Sequence, residues 1–540
     1  MHSIRAALAV AIAAVVALAL LAAGPAGARP VGAGTGKKPN ILVVMTDDQA
    51  LADLKYMPHV RKLIGAKGTT FGNAVDSFPL CCPARATFIT GQYAHNNGVA
   101  GNFYPYGWYG MKHRGNILPA WLQGAGYKTA LIGKWLNGYG ARDAHGEVPK
   151  GFDIWRGLLD VSAYDYFNFE MNRNGHLRTW GDPVFARKLV RFANIEVTPG
   201  PNGQPHNVGE VLARAHKIFP PGYYGTQKTK NYSPDVTGGI TQNLVRRQAD
   251  SHKPFFIWWT PAAPHREDVS TTILGRKGPD PRPAPRFAQE SKKFKLPEPP
   301  SFNYSDPADP DSLVSQLPSM TQAQIDQLKL DYQGRIGSLL AVDQHVAHLV
   351  HILRRTNQLK NTLIVFVSDN GWLQGQHRVP GDKFVPYEES VHVPFIMRGP
   401  GVPQGRTVNR QVSNIDFAST LLDAAGVKPG RTQDGISLLP VAQHPAQTPD
   451  RAILLEATSP LFLGDGFPMH YDQPYDGVRT NHWKLIEWNY GARELFDLKT
   501  DPYELHNLYA DPAYAGVRKR LKGDLSKLRD CAGASCQVAP

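Results

Sequence analysis

The run from Cys81 to Gly91, CCPARATFITG, has the residue types in this chain that are best suited to chemistry. In it a cysteine is followed at fixed spacing by Pro83 and Arg85, which is neither a metal-knuckle spacing nor a redox C-x-x-C pair. Two interpretations fit the run. Either Cys81 and Cys82 are buried cysteines beside a turn proline, since free cysteine is among the most buried residue types, or the run is catalytic. Because several positions match a functional pattern together, we favour the catalytic interpretation.

Four apolar runs that end abruptly in polar residues are the elements that must position such a site. Continuous apolar runs without alternation are typical of strands that helices cover on both faces, which is the parallel-sheet case. In such sheets ligands bind at the carboxyl ends of the strands. The runs are Ile41–Met45 before Thr46-Asp47-Asp48-Gln49, Thr129–Ile132 before Gly133-Lys134-Trp135, Pro254–Trp259 before Thr260 and His265, and Thr362–Val367 before Ser368-Asp369-Asn370-Gly371.

Any one of these strand ends has a purely structural explanation, because Asp and Asn are common turn formers and helix caps. Helical patterns lie between the runs, the longest from Gln322 to Asn357, so that strands and helices alternate. We therefore predict an α/β fold with a large, mainly parallel sheet sandwiched by helices. Two carboxylates, an Asp–Asn pair, a lysine and a histidine would then meet at one edge of that sheet.

Length, composition and charge set the class of protein. At 540 residues a length prior gives roughly two or three domains, and 42% hydrophobic residues supply an ample core. The formal net charge of +13 favours acidic partners, but neither a nucleic-acid-binding motif nor a dense basic run accompanies it. We therefore expect a polyanionic small substrate or glycan and no nucleic acid partner.

The N-terminus is typical of an export signal. A short basic region over residues 2–5 precedes an apolar run over residues 7–23 and an A-x-A-like cleavage site at residues 26–28. We expect a signal peptide over residues 1–28, a flexible lead-in over residues 29–38, and a secreted protein without stable membrane association. An uncleaved membrane anchor is the alternative.

A change of pattern after about Gly426 predicts a second unit. We expect the large α/β domain to span residues 39–426 and a small α+β subdomain with an antiparallel sheet to span residues 427–540. In an exported protein, Cys531 and Cys536 are expected to form one small disulfide that staples the tail. The expected elements of the subdomain are short strands around Val478–Trp488 and Glu494–Leu498 and a helix from about Ala515 to Leu528.

Taken in order, these motifs resemble those of the sulfatase family, whose members have the alkaline-phosphatase-like fold. The Cys81 run is similar to the sulfatase signature C-x-P-x-R-x(3)-[LI]-T-G. The runs from Cys81 to Pro83 and from Gly133 to Asn137 are most similar to the N-acetylglucosamine-6-sulfatase and arylsulfatase branch. Further matches are Pro264-His265, Val342-Asp343, Gly381-Asp382-Lys383, Tyr387-Glu388, Val393-Pro394, Arg398-Gly399-Pro400-Gly401, Leu495-Phe496-Asp497-Leu498, Asp501-Pro502 and Asn507-Leu508.

The resemblance implies that Cys81 is oxidised after translation to formylglycine by a formylglycine-generating enzyme. Ala84 stands where many relatives have serine, but the C-x-P-x-R core is intact. The hydrated aldehyde would attack the sulfur of an aryl sulfate or of a sulfated sugar such as glucosamine 6-sulfate. The protein would then be a sulfuric ester hydrolase that splits one difficult step into two easier ones, which is the logic of covalent catalysis.

The resemblance also implies a metal site. Asp47, Asp48, Asp369 and Asn370 are the expected ligands of one divalent cation, together with the modified Cys81. Oxygen ligands suit a hard cation and argue against zinc. Because the family usually binds Ca²⁺, we expect Ca²⁺ in preference to Mg²⁺.

A basic set completes what the resemblance implies. Arg85 would hold the modified residue, and Lys134, His265 and Lys383 would bind the sulfate oxygens, as preorganised cations do in many active sites. His265 is also the candidate general acid for the departing alcohol. Leu136 departs from the family, because many relatives have a histidine at this position that deprotonates the hydrate. That role therefore has no predicted residue in this chain.

Two other functions stay open at this stage. A phosphatase or phosphodiesterase of the same fold would use a serine or threonine hydroxyl and usually two zinc ions with several histidine ligands, which the histidine-poor metal set does not favour. A secreted sulfated-glycan-binding protein with a dead site would result if Cys81 were never oxidised.

Overall fold

A ten-stranded mixed sheet forms the centre of the computed structural model of this protein. The structure describes residues 37–141, 146–200, 206, 208–219, 222, 225, 228–267, 269–270, 274–306, 309, 312–457 and 474–540. The predicted signal peptide and most of the lead-in lie outside the described residues.

The strands and α-helices have the following bounds. The strands are β1 (Asn40–Thr46), β2 (Thr69–Phe71), β3 (Ala74–Val75), β4 (Lys128–Lys134), β5 (Ile154–Leu158), β6 (Phe169–Arg173), β7 (His176–Trp180), β8 (Phe255–Thr260), β9 (Thr362–Ser368), β10 (Phe395–Arg398), β11 (Arg406–Val408), β12 (Val412–Ser413), β13 (Ile453–Ala457), β14 (Tyr475–Arg479), β15 (Trp483–Trp488) and β16 (Arg493–Asp497). The helices are α1 (Cys81–Thr90), α2 (Ala94–Asn97), α3 (Gly107–Gly110), α4 (Leu118–Gly124), α5 (Pro183–Phe192), α6 (Asn194–Val197), α7 (Val208–Ile218), α8 (Ser233–Gln248), α9 (Ala288–Ser291), α10 (Leu313–Gln316), α11 (Gln322–Arg355), α12 (Glu388–Val391), α13 (Asp416–Ala425), α14 (Leu438–Gln443) and α15 (Ala515–Leu528).

The strand order of the large sheet is β11-β2-β10-β9-β1-β8-β4-β5-β6-β7. Its middle, β9-β1-β8-β4-β5, is parallel. Antiparallel pairs extend it on both sides, from β9 through β10 to β2 and from β5 through β6 to β7. The predicted α/β class is confirmed, and its parallel part is the part that carries the predicted strand ends.

Side chains of β1 alternate between two apolar layers. Ile41 and Val43 belong to a cluster that includes residues of α1, α4 and α13. Leu42 and Val44 point the other way, into a cluster that includes residues of α8 and α11. Because both faces of the strand are buried under helices, it is apolar throughout instead of alternating.

Strand register brings the polar ends to one edge of the sheet. Thr46 at the end of β1 is paired with Ser368 at the end of β9, so the residues that follow both strands become neighbours. Gly133 is paired with Thr260 in the same way. Gly133 has φ +119°, and a Cβ there would lie 2.1 Å from the Thr260 carbonyl oxygen, so only glycine permits this close approach.

The helix predicted from Gln322 to Asn357 is present as α11, and it starts with a capping box in which Thr321 and Gln324 satisfy each other's backbone groups. By length and composition α11 resembles a membrane-crossing helix, but 72% of its apolar window is buried inside the protein. The sequence over residues 151–220 has no clear apolar periodicity and predicted no elements, but strands β5, β6 and β7 and several helices lie there.

The C-terminal part forms a separate four-stranded sheet, β13-β14-β15-β16, whose neighbouring strands are all antiparallel. Apolar side chains of α15, including Leu521 and Leu525, pack against one face of it. The predicted disulfide between Cys531 and Cys536 is formed. The antiparallel character of this sheet agrees with the sequence prediction.

Candidate active site

The structure brings all of the predicted site residues together at the carboxyl edge of the parallel strands. Each is buried, and none is more than 5% exposed. Charged side chains are buried to this extent only when they pair with one another or bind a ligand. The gathered residues are Asp47, Asp48, Cys81, Arg85, Lys134, His265, Asp369, Asn370 and Lys383.

The carboxylates following β1 and β9 are tied to each other through the backbone. The amide of Asp48 donates to Oδ1 of Asp369 at 3.0 Å, and the amide of Asp369 donates to the Thr46 carbonyl at 3.1 Å. Nδ2 of Asn370 donates to Oδ1 of Asp48 at 2.8 Å. Asp48 adopts a left-handed backbone conformation with φ 64°, which turns the chain sharply just after the end of β1.

Cys81 is the first residue of α1 and faces these carboxylates. Its Sγ lies 3.5 Å from Oδ1 of Asp47 and 3.8 Å from Oδ1 of Asp48. Nζ of Lys383 donates to the sulfur at 3.1 Å. Burial raises the pKa of the Cys81 thiol well above its ordinary value, so an unmodified Cys81 is a neutral thiol, which is a poor nucleophile.

Arg85, one turn further along α1, joins three strand ends. Its Nε donates to Oδ2 of Asp369 at 2.8 Å, and its Nη1 donates to the Lys134 carbonyl at 3.1 Å. Its Nη2 lies 3.6 Å from Oδ2 of Asp47. A planar guanidinium can serve several acceptors at once in a way that a lysine cannot.

Two lysines face the carboxylates. Nζ of Lys134 lies 2.9 and 2.7 Å from the two oxygens of Asp47, and Nζ of Lys383 lies 2.5 Å from Oδ1 of Asp48. Burial alone would raise the pKa of Asp48, but Lys383, His265 and Lys134 hold it below its ordinary value. Asp48 is therefore ionised throughout the neutral range.

His265 follows β8 after a cis peptide bond between Ala263 and Pro264. Its Nδ1 lies 2.8 Å from the Arg266 carbonyl, so this nitrogen carries a proton that it donates there. Its Nε2 faces Oδ2 of Asp48 at 3.5 Å. Burial lowers the pKa of His265 well below its ordinary value, which favours the neutral form of the imidazole.

The residues present fit a divalent cation. Oδ2 of Asp48 and Oδ1 of Asn370 are buried oxygens without a hydrogen-bond partner within the described part of the chain. Ligand atoms of Asp47, Asp48, Cys81 and His265 lie within 4.8 Å of one another. Carboxylate and amide oxygens suit a hard cation. His265, predicted as a sulfate-binding residue and general acid, thus also lies beside the candidate metal ligands.

Several residues of this region had no signal in the sequence. Arg335 in the middle of α11 donates to the carbonyls of Pro264, at 3.0 Å, and of Asp48. Tyr164 stacks on His265 with ring centroids 4.2 Å apart. Trp372 lies under Lys383, whose Nζ is 5.4 Å from its ring centroid. A mid-helix arginine and single aromatic residues have no motif that would separate them from ordinary surface or core residues.

Leu136 is turned away from these polar groups. Its side chain is 2% exposed and belongs to the apolar layer that also contains Trp135. A second cluster of possible metal ligands consists of the buried His377 and Glu504 and the partly buried Glu389. The His377 ring stacks on Tyr387.

Comparisons of the sequence with family models and with known proteins agree on one family. The Sulfatase family model matches residues 39–427, and a model of the C-terminal region of N-sulphoglucosamine sulphohydrolase matches residues 375–531. The chain is 29% identical to N-acetylglucosamine-6-sulfatase of Homo sapiens, over 96% of this chain and 90% of that protein. It is 30% identical to an arylsulfatase of Chlamydomonas reinhardtii, over 97% of this chain and 79% of that protein.

Solved structures share the fold. One is a complex of a protein with its substrate D-glucosamine-2-N,6-O-disulfate, which superimposes with a TM-score of 0.68 at 23% identity and covers 91% of this chain and 97% of that one. Another is a phosphonate monoester hydrolase from Silicibacter pomeroyi, with a TM-score of 0.60 at 22% identity over 91% of this chain and 95% of that one.

Proposed function

The chain belongs to the sulfatase family and is a sulfuric ester hydrolase, and we propose that it removes sulfate from sugars through a formylglycine made from Cys81. The observation that carries the proposal is the placement of Cys81. Its Sγ lies 3.5 Å from Oδ1 of Asp47 and 3.1 Å from Nζ of Lys383, among buried charged residues. As a buried neutral thiol this residue has little use there, whereas a hydrated aldehyde would place a hydroxyl between carboxylates and cations.

We further propose that Asp47, Asp48, Asp369 and Asn370 hold one Ca²⁺. When bound, such a cation polarises a sulfate oxygen and lowers the pKa of the attacking hydroxyl. Two buried oxygens that lack a hydrogen-bond partner within the described residues, Oδ2 of Asp48 and Oδ1 of Asn370, support this assignment.

The basic residues would bind and orient the sulfate ester. Lys134 binds Asp47 and Lys383 binds Asp48, the two carboxylates that Cys81 faces, so a sulfate group next to Cys81 would meet both ammonium groups. Such fixed cations act where negative charge develops and need no reorganisation during the reaction. Nε2 of His265 points at the same place and would hand a proton to the departing oxygen, after bound sulfate has favoured its protonated form.

For the substrate we propose a sulfated amino sugar. The relatives include N-acetylglucosamine-6-sulfatases, and a structure of the same fold contains D-glucosamine-2-N,6-O-disulfate. We also propose export from the cytoplasm, because an export signal pattern stands at residues 1–28 and a matching Caenorhabditis elegans relative is named a putative extracellular sulfatase. The formylglycine-generating enzyme would then be a partner during maturation.

A substrate panel tests the proposed function. Purified protein is incubated with para-nitrophenyl sulfate, glucosamine 6-sulfate, a para-nitrophenyl phosphodiester and a para-nitrophenyl phosphonate monoester, and the release of sulfate or nitrophenol is measured. We expect sulfate release from both sulfate esters, with kcat/KM for the phosphorus esters lower by at least about 10²-fold, since a sulfate ester offers three non-bridging oxygens to the basic residues whereas the two phosphorus esters offer two. Preferred turnover of a phosphorus ester would instead support a phosphonate or phosphodiester hydrolase of this fold. The matched control is Cys81→Ala, which should be inactive on every substrate.

A further inference from the structure

The ring of Tyr164 lies between two members of the basic set. Its centroid is 4.2 Å from the centroid of the His265 imidazole, and the two rings are stacked at an angle of 26°. Nζ of Lys134 lies 4.6 Å from the same tyrosine centroid. Tyr164 itself is 4% exposed. One buried aromatic side chain is thus packed against Lys134, the last residue of β4, and against His265, which follows β8.

Asn137 fixes the position of that ring. Its Nδ2 donates to the Tyr164 hydroxyl oxygen at 2.8 Å. Asn137 comes three residues after Lys134, on the turn that follows β4, and its backbone is held by the Trp108 amide at 2.9 Å. The neighbouring Leu136 is buried in the apolar layer, so Asn137 provides the polar side chain of this turn. Its amide and the tyrosine hydroxyl form a buried pair beside the site.

The orientation of His265 matters for its proposed role. Nδ1 is committed to the Arg266 carbonyl at 2.8 Å, which leaves Nε2 as the nitrogen that faces Asp48 and the site. A general acid works only when its proton lies within hydrogen-bond reach of the leaving oxygen. A misplacement of about 1 Å can cost about 10²-fold in rate. The stacked Tyr164 ring restricts how far the imidazole plane can tilt about the hydrogen bond from Nδ1 to the Arg266 carbonyl.

We propose that Tyr164, held by Asn137, is a positioning residue that keeps the His265 imidazole in the plane from which Nε2 protonates the departing alcohol. The inference rests on the proposed sulfatase function and adds to it a residue from outside the motifs. The role of the hydrogen-bonded pair Asn137 and Tyr164 is then to support the general acid His265. The pair does not replace the histidine that many relatives have at the position of Leu136.

Leaving groups of different basicity test this role. Nitrophenolate departs with little need of a proton, whereas a sugar alkoxide needs one. In Tyr164→Leu we expect kcat/KM to fall by about 10²-fold for glucosamine 6-sulfate and by less than about 10-fold for para-nitrophenyl sulfate. Tyr164→Phe keeps the ring but loses the hydrogen bond from Asn137, so its losses should lie between those of wild type and Tyr164→Leu and should again be larger for glucosamine 6-sulfate. The ratio of the two kcat/KM values is measured within one preparation, so the folded fraction cancels.

A double-mutant cycle tests whether Tyr164 acts through His265. In a His265→Ala background, Tyr164→Leu should cause almost no further loss, because the group that it positions is gone. Equal losses on both substrates, or losses that multiply in the double variant, would overturn the proposal. Tyr93→Leu is the matched control, since Tyr93 is also buried and stacks on a histidine, His95, outside the basic set. A wild-type protein that turns over neither sulfate ester would overturn the proposed function together with this inference, whereas an active wild type with an unchanged ratio in Tyr164→Leu overturns the inference alone.

Discussion

Asp48 is the residue on which most contacts of the candidate site converge. Its Oδ1 accepts from Asn370 at 2.8 Å and from Lys383 at 2.5 Å, its amide donates to Asp369, and its carbonyl accepts from Arg335. These contacts hold Asp48 in a left-handed conformation with φ 64°. That conformation costs a non-glycine residue on the order of 1 kcal/mol or more, and it persists only where the surrounding contacts enforce it. Strained residues of this kind are concentrated at functional sites.

The first prediction concerns the charge of Asp48. Asp48→Asn keeps the shape of the side chain and removes one negative charge from the proposed metal ligands. We expect loss of stoichiometric Ca²⁺, measured by elemental analysis of dialysed protein, and a fall of about 10³-fold in kcat/KM, since the electrostatic contribution of such a site is worth several kcal/mol. Asp326→Asn on the exposed side of α11 is the control and should change neither quantity. Full Ca²⁺ content with full activity in Asp48→Asn would contradict the assignment.

The candidate site residues were predictable from the sequence because polar residues directly follow apolar strands. The residues that support them were not predictable. Asp47 and Asp369 follow uninterrupted apolar runs, and parallel register forces such ends together. Tyr164 stands in a stretch without periodicity, and Arg335 stands in the middle of a helix, where an arginine is usually a solvent-exposed residue. Only the packing of distant segments brings these two side chains to the site.

Among the elements, α11 has a second function besides covering one face of the sheet. Arg335 from this helix donates to the Pro264 carbonyl at 3.0 Å and to the Asp48 carbonyl, and it lies 3.8 Å from Oδ2 of the buried Asp53. The helix therefore couples the turn after β1 to the turn after β8. These turns carry a proposed metal ligand and the proposed general acid.

The second prediction concerns this connection. Arg335→Met keeps the apolar part of the side chain but leaves two carbonyls and Asp53 without their cation. We expect a loss of about 3–5 kcal/mol in the free energy of unfolding, as for other broken buried pairs, and a fall in kcat of at least about 10-fold. Chemical denaturation and steady-state kinetics at a temperature where the variant is folded measure the two effects. Arg355→Met at the exposed end of the same helix is the control, and equal behaviour of the two variants would contradict the role of Arg335.

The element bounds show where sequence patterns are sufficient. Continuous apolar runs located β1, β4, β8 and β9, because burial on both faces leaves an unbroken apolar run. A helical pattern located α11, because burial of one side of a helix leaves a helical period in the sequence. Strands β5 to β7 were missed. β7 has partly exposed residues at the edge of the sheet, and a short edge strand leaves no clear alternation to detect.

At the scale of the whole molecule, buried ionisable groups connect the large sheet to the C-terminal one. The Tyr387 hydroxyl donates to Glu494 of β16 at 3.1 Å. Lys484 of β15 lies 2.8 Å from Glu388 and 2.7 Å from Glu504. Burial raises the pKa of Glu494 to about 7 and that of Glu504 to about 8. Glu494 and Glu504 therefore hold protons in the folded protein at pH values where the unfolded chain has lost them.

The third prediction is the pH dependence that follows. A carboxyl group whose pKa is raised on folding contributes stability that is complete below its unfolded pKa and is lost as the pH rises through its folded pKa. Between about pH 5 and about pH 8, ionisation of Glu494 should therefore lower the free energy of unfolding by an amount on the order of 3 kcal/mol. Glu494→Gln should make the dependence shallower, measured by denaturant unfolding across this range. The exposed Glu298→Gln is the control, and an identical slope in wild type and Glu494→Gln would contradict the explanation.

The most direct test of the central claim is the mass of the proteolytic peptide that contains Cys81, measured on protein that releases sulfate from para-nitrophenyl sulfate. The preparation comes from cells with a formylglycine-generating enzyme, and a parallel preparation comes from cells without one. We predict that active protein contains the peptide with a CHO group or its hydrate in place of the CH₂SH group of cysteine, and that activity per molecule rises in proportion to the modified fraction. An unmodified Cys81 thiol in fully active protein would contradict the account.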